Sequence, residues 1–458
     1  MSGYHPDRKA LERFVSGDAP ADEENRIEHH LRAGCAVCQE EVDRLLPAFD
    51  FTVEPRSASP EPVPVFSCNV AWDQVYTRLE QRLALISLEK EAAPRLVEEL
   101  IRQPAEVQRV LVRSSRRFQT PAVCELLIER SFEEGFRSTA RALELAVLAI
   151  EAACQLDAHS YGKSVTQDLK ARAWAYLGNA RRLAADFTGA EQAISFAEEL
   201  AEDGSADPLE EARILDLKAS LLRDEGRLEE AAQFLEVVID IYEEVKDNHR
   251  QGRALISKGL CLGDAGHPEE AIDRISTGLS LIHWNQEPRL VLIARYNLIW
   301  YMSECGRCEQ AMRQLERLRP AFRESADTWF ETRLIWLEGR IACGLGHVEK
   351  AEALLSRVQQ RLLEQQRGFD ACSVTLDLAS FYLQQGQISE VRQLIETMLP
   401  FLLTHAQEIY RQAIVALIAV QQAAETNRLT PHLIREVTSY LLRARCNPQL
   451  QFRETATA

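Results

Sequence analysis

Five short phrases set the architecture: "GRLEEA" (226–231), "GHPEEA" (266–271), "GRCEQA" (306–311), "GHVEKA" (346–351) and "GQISEV" (386–391) follow one another at intervals of forty residues. Each opens on a glycine, and Ala231, Ala271, Ala311 and Ala351 fall five residues later. Before the glycine lies an amphipathic helical stretch such as "RILDLKASLLRDE" (213–225), and after it a second such as "EEAIDRISTGLSLI" (269–282). Apolar residues recur at i, i+3, i+4 and i+7 in both, so the unit is a helical hairpin. Its turn needs a left-handed residue, which glycine supplies at the lowest steric cost. The alanine that follows lets the paired helices approach.

These phrases resemble the tetratricopeptide repeat family: a small residue in the first helix (Gly178, Ala219, Gly259, Gly339, Ala379), the turn, then the anchoring alanine. The units here exceed that family's usual 34 residues. The resemblance implies a right-handed α-solenoid, all-α in class. Backward, "ARAWAYLGNARRLAADFTGAEQAI" (171–194) reads as a first repeat; forward, "AIVALIAVQQAAETNRLTPHLIREVTSYLLRA" (413–444) reads as a divergent cap. Four zones follow: 1–48, charged and carrying a His/Cys cluster; 49–69, a linker with four prolines in "TVEPRSASPEPVPVF" (52–66); 70–157, helical but out of register, an entry cap; and 158–458, the repeats.

The chain carries 53 Lys+Arg against 70 Asp+Glu, a formal charge of -17. Its long-range field opposes a nucleic-acid backbone or an anionic membrane. No apolar run long enough to span a bilayer and no signal-like core are seen, so the expected location is the cytoplasm. The eleven cysteines do not form a disulfide framework.

In "HHLRAGCAVC" (29–38), Cys35 and Cys38 have the spacing of a zinc-gripping turn, with Gly34 releasing the chain from the helix "DEENRIEHHL" (22–31). His30 ends that helix, and His5 precedes the next helix upstream, "PDRKALERFV" (6–15). This layout resembles the zinc-binding anti-sigma-factor domain, whose motif is an N-terminal His or Cys followed by His-x-x-x-Cys-x-x-Cys. The match covers about residues 3–48 and implies His5, His30, Cys35 and Cys38 as ligands of one structural zinc, with Leu31 in the core. Here four residues separate His30 from Cys35 rather than three, which keeps His29 as the lesser candidate. Four protein ligands leave no open position for catalysis. A second pair, Cys305 and Cys308, brackets the turn glycine Gly306 and has no histidine nearby, so it reads as structural.

No phosphate loop, dinucleotide fingerprint or nucleophile elbow occurs, so an enzyme is not expected. In a tetratricopeptide-like groove the first helices would present Arg172, Asn179 and Arg182, then Arg213 and Arg223, then Arg253, then Tyr296 and Trp300, then Arg333, Trp336 and Arg340. Guanidinium forks suit carboxylates and aromatics suit apolar side chains. The competing reading pairs these arginines with acidic residues on adjacent helices. The functional expectation is a non-catalytic, bacterial protein-interaction scaffold in transcriptional or stress signalling, with a sigma factor or an effector protein as partner. The alternatives are a sensor that takes a peptide or acidic ligand in the groove, and an adaptor for a neighbouring enzyme.

Overall fold

The computed structural model describes residues 6–16, 19–32, 35–45, 68–135, 137–324, 328–404, 411–444 and 452, and among them there is no strand. Three short helices come first, α1 (Arg8–Ser16), α2 (Ala21–Arg32) and α3 (Ala36–Leu45). The out-of-register zone holds α4 (Cys68–Ile101), α5 (Ala105–Ser114), α6 (Pro121–Glu134), α7 (Thr139–Cys154) and the single turn α8 (Ala158–Tyr161). Seven hairpins follow: α9 (Lys163–Leu183) with α10 (Phe187–Glu202), α11 (Pro208–Asp224) with α12 (Leu228–Glu244), and α13 (Asn248–Asp264) with α14 (Pro268–Leu281). Then come α15 (Pro288–Glu304) with α16 (Cys308–Glu324), α17 (Thr328–Gly344) with α18 (Val348–Glu364), α19 (Gly368–Gln384) with α20 (Ile388–Thr404), and α21 (Arg411–Glu425) with α22 (Pro431–Ala444). The chain is therefore all-α and built from helical hairpins, as its period predicts.

The turns explain the period. Gly226, Gly266, Gly306, Gly346 and Gly386 all have φ between 72° and 94°. The residue after each donates its N–H back across the helix end: Arg227 to Leu222 at 2.8 Å, and His267 to Leu262, Arg307 to Met302, His347 to Ala342 and Gln387 to Tyr382 at 2.9 Å. That bond, with the left-handed residue, closes the orphan carbonyls of the helix C-terminus. A Cβ added at Gly266, Gly306, Gly346 or Gly386 would meet nothing within 4 Å, so backbone conformation alone demands the glycine. The first and last hairpins use the same bond without glycine: Ala185 (φ 61°) and Asn427 (φ 58°) hold the left-handed position. Sequence pattern alone could not show that Ala185 takes it, because a left-handed alanine costs about 1–2 kcal/mol that the packed helices must offset.

The anchoring alanines Ala231, Ala271, Ala311 and Ala351 are fully buried. The first helix meets them with little to spare: a Cβ on Gly259 would stand 2.6 Å from Ile275 and 3.0 Å from the Ala271 carbonyl.

The molecule divides into two compact units, Met1–Leu221 with Gln233–Gln251, and Leu222–Ala232 with Gly252–Ala458. In the first, α4 packs on α6, α6 on α7, and both α7 and α10 on α9. Leu100, Phe118, Leu127, Ala149 and Leu169 lie at the centre of its core. In the second, successive helices from α14 to α22 pack each on the next, and α22 folds back on α19. The proline-rich stretch 49–67 lies outside the described residues, but α1 to α3 do not stand apart: they belong to the first unit, where α2 packs against α9.

Candidate functional site

Helix α2 is charged along its first turn, with Asp22, Glu23 and Glu24, which favours its positive N-terminal end. Its buried contact comes at the other end, where Ile27, His29 and His30 are buried. The two histidines, adjacent in sequence, face different partners.

His30, Cys35 and Cys38 are all buried, and their ligand atoms lie within 4.8 Å of one another. Among the described residues this is the grouping of His, Cys, Asp or Glu that has the dimensions of a metal site. His5 and Gly34 lie outside the described residues. The imidazole Nδ1 of His30 faces Asp207 Oδ1 at 3.3 Å, which leaves Nε2 as the nitrogen that would serve a metal. A carboxylate on the far nitrogen is the usual support of a ligating histidine, fixing its tautomer and raising its basicity. Burial lowers the basicity of His30, but Asp207 and Cys35 outweigh it and hold its pKa up at about 9. Cys38, donating to Cys35, and then His30 hold the Cys35 thiol below the usual range of a cysteine. The Cys35 sulfur and burial together push Cys38 up. One thiolate beside a supported imidazole is the donor chemistry that a soft divalent cation takes.

His29 turns the other way. Its Nε2 stands 3.3 Å from Glu210 Oε1 and 3.5 Å from Asp168 Oδ2, with all three residues buried. Asp168 comes from α9 and is held by the Ser205 N–H at 3.0 Å, while Glu210 opens α11. Glu210 also takes Arg172 Nε at 2.8 Å and bonds to Arg213. Arg172 reaches Glu125 of α6 as well, at 3.4 Å. Burial opposes the charge on His29, but Glu210 first and then Asp168 raise its pKa. Glu210 is held well below the usual carboxylate range: burial would raise it, and Arg172 and Arg213 overcome that. Farther along α2, Arg82 of α4 donates to Asn25 at 3.0 Å. The N-terminal helices thus meet the repeats through two histidines set on three buried acids.

Arg182 donates to Asn179 at 2.9 Å, and Asn179 is itself buried. In the second unit, Arg223 pairs with Asp264 at 3.0 Å and Arg253 with Glu287 at 3.2 Å. The carboxylates that meet Arg223 and Arg253 are therefore the chain's own. Tyr296 is buried beneath the Arg333 guanidinium, whose carbon lies 4.5 Å from the ring centre. Trp300 and Trp336 meet edge to face at 5.4 Å, Arg340 lies over Trp300 at 4.0 Å, and the Trp336 indole donates to Asp377 at 2.6 Å. Trp300, Trp336, Arg333 and Arg340 share one cavity of about 240 Å³ in the second unit. Trp329 and Arg367, which the helical stripe does not contain, join them. Cys305 and Cys308 stay apart from any metal-like group: Cys308 is buried at the start of α16 against Gly344.

No family model matches the chain, and no curated protein matches it. Among solved structures it is similar to the apo form of RapI, with a TM-score of 0.47 and 12% identity over 61% of this chain and 97% of that one. It is similar also to aspartyl phosphate phosphatase F from Bacillus subtilis, at 0.47 and 13% over 88% and 96%. A third is a signal transduction ATPase with a tetratricopeptide repeat sensor from Pyrococcus horikoshii, at 0.44 and 17% over 69% and 53%. Among the described residues no helix is long and apolar enough to cross a membrane.

Proposed function

We propose that the chain is a non-catalytic regulator that recognises a protein partner, with a structural zinc site that folds its N-terminal helices and seats them on the helical repeats. The observation that carries this reading is the pairing of adjacent residues: His30 with Cys35 and Cys38 around one point, and His29 on Glu210 and Asp168. Zinc would supply a fixed tetrahedral node, with His30, Cys35 and Cys38 holding it and His5 as the fourth donor that the anti-sigma resemblance implies. Asp207 would orient His30, so a repeat-borne carboxylate would support a ligand of the N-terminal module. Around fifty residues with a small core gain most of their fold from such a node.

A sigma factor is the partner class implied by that resemblance, and the setting is bacterial transcriptional or stress signalling in the cytoplasm. Metal analysis of the purified chain should return about one zinc, and Cys35→Ser with Cys38→Ser should remove it. Equal zinc in both proteins, or none in either, overturns the site. The partner class is tested by co-purifying the chain with candidate sigma factors. Binding that survives the double cysteine change would place recognition outside the module.

A further inference from the structure

The cavity of the second unit has walls of a defined chemistry, and none of its lining residues lies in the N-terminal helices. Trp300, Trp329 and Trp336 line it, with Thr438 and Leu441 of α22. Its charged groups are unequal. Asp377 and Glu304 are met by Arg340 at 2.9 and 3.3 Å, Asp370 by Arg367 at 2.8 Å, and Asp264 by Arg223 at 3.0 Å. Arg340 and Arg367 also lie over indoles, with the guanidinium carbon 4.0 Å from the Trp300 ring centre and 3.3 Å from that of Trp329. Arg333 differs: its guanidinium lies 4.5 Å from the Tyr296 ring centre and 5.8 Å from that of Trp329, and among the described residues no carboxylate lies within ion-pair distance of it, Asp370 and Asp264 acting on it only from farther off. A planar fork of donors held on an aromatic face is set to take a carboxylate in bidentate fashion.

Size narrows the ligand. About 240 Å³ exceeds the ~150 Å³ cavity that accepts a benzene ring and falls below the ~300–1,000 Å³ of pockets for drug-sized molecules. The space suits one side chain with its carboxylate rather than a long peptide. We infer that this cup binds a monocarboxylate carrying an aromatic or branched apolar group, the carboxylate on Arg333 and the apolar group against Trp300 and Trp329. Two sources share that chemistry, a free N-acylated amino acid and the C-terminal residue of a peptide.

Tryptophan fluorescence and calorimetry on the full chain test it with four probes: N-acetyl-phenylalanine, its amide, the peptide Gly-Ser-Gly-Ser-Phe, and its C-terminal amide. At least one acid should bind ten or more times tighter than its amide. Arg333→Gln should remove that preference, and Arg333→Lys, which keeps the charge but loses the fork, should keep part of it. Binding of both acids supports the cup as a site for small carboxylates, and binding of the peptide acid alone supports it as a reader of chain ends. Equal binding of acid and amide to the unmodified chain, no binding of any probe, or an undiminished preference in a folded Arg333→Gln protein overturns the inference.

Discussion

The two units use one vocabulary, arginine and carboxylate on the first helices of hairpins, and finish it differently. In the first unit, Glu210 draws Arg172, Arg213 and His29 onto itself, and helix α2 of the same chain completes the cluster. In the second, Arg340 and Arg367 pair directly with carboxylates, while Arg333 lines a cavity with Asp370 and Asp264 acting on it only from beyond ion-pair distance. A charged stripe on a repeat is thus a candidate site only where the chain has not itself placed a carboxylate within ion-pair distance. Composition along the stripe does not distinguish the two cases.

The largest expected effect comes from breaking the closed cluster. Glu210→Ala would remove the shared carboxylate of Arg172, Arg213 and His29, leaving Arg172 on Glu125 and His29 on Asp168, and breaking a buried charged pair by removing one partner costs about 3–5 kcal/mol. Denaturant unfolding followed by circular dichroism should show it, and a loss under 1 kcal/mol would mean that solvent already screens the cluster. Acid acts in the same direction. Because Glu210's folded pKa is depressed, its contribution is full above the unfolded carboxylate range and is lost as pH falls through the folded value.

Next comes the support of the metal ligand. Asp207→Asn keeps the shape and removes the charge facing His30, and should weaken zinc binding about 10–100-fold in a chelator competition. An unchanged affinity would detach Asp207 from the metal site.

Turn glycines should give less. Gly306→Ala forces a left-handed alanine where no neighbour crowds the Cβ, so thermal unfolding should register about 1–2 kcal/mol of destabilisation. A neutral result would show that the hairpin end relaxes out of the left-handed conformation. Smallest is Arg223→Ala, whose pair with Asp264 is partly exposed and should yield only about 0–1 kcal/mol.

The fold was legible because one physical requirement, a left-handed residue after each first helix, writes a glycine every forty residues. Where Ala185 or Asn427 fills that position the signal fades, yet the hairpin persists through its packing. The grouping of Cys35, Cys38 and His30 was legible from spacing. The partners of His29 and His30 were not, since Asp168, Asp207 and Glu210 lie well over a hundred residues away in a chain rich in acids. The aromatic cup was half visible: Trp300, Arg333, Trp336 and Arg340 fall on the helical stripe, whereas Trp329 lies at the start of α17 and Arg367 in the turn before α19. Asn179 and Tyr296 fit the stripe by count but are buried between helices, because adjacent hairpins cover part of the face that an isolated helix would expose.

The central claim is that a metal-folded module is seated on the repeats of its own chain. The direct test places a protease site within residues 52–66, cleaves the purified protein, and follows the N-terminal fragment by gel filtration with and without a zinc chelator. The fragment should stay with the helical body while zinc is bound and separate once the metal is removed. Separation in the presence of bound zinc, or retention that is indifferent to the chelator, would contradict it.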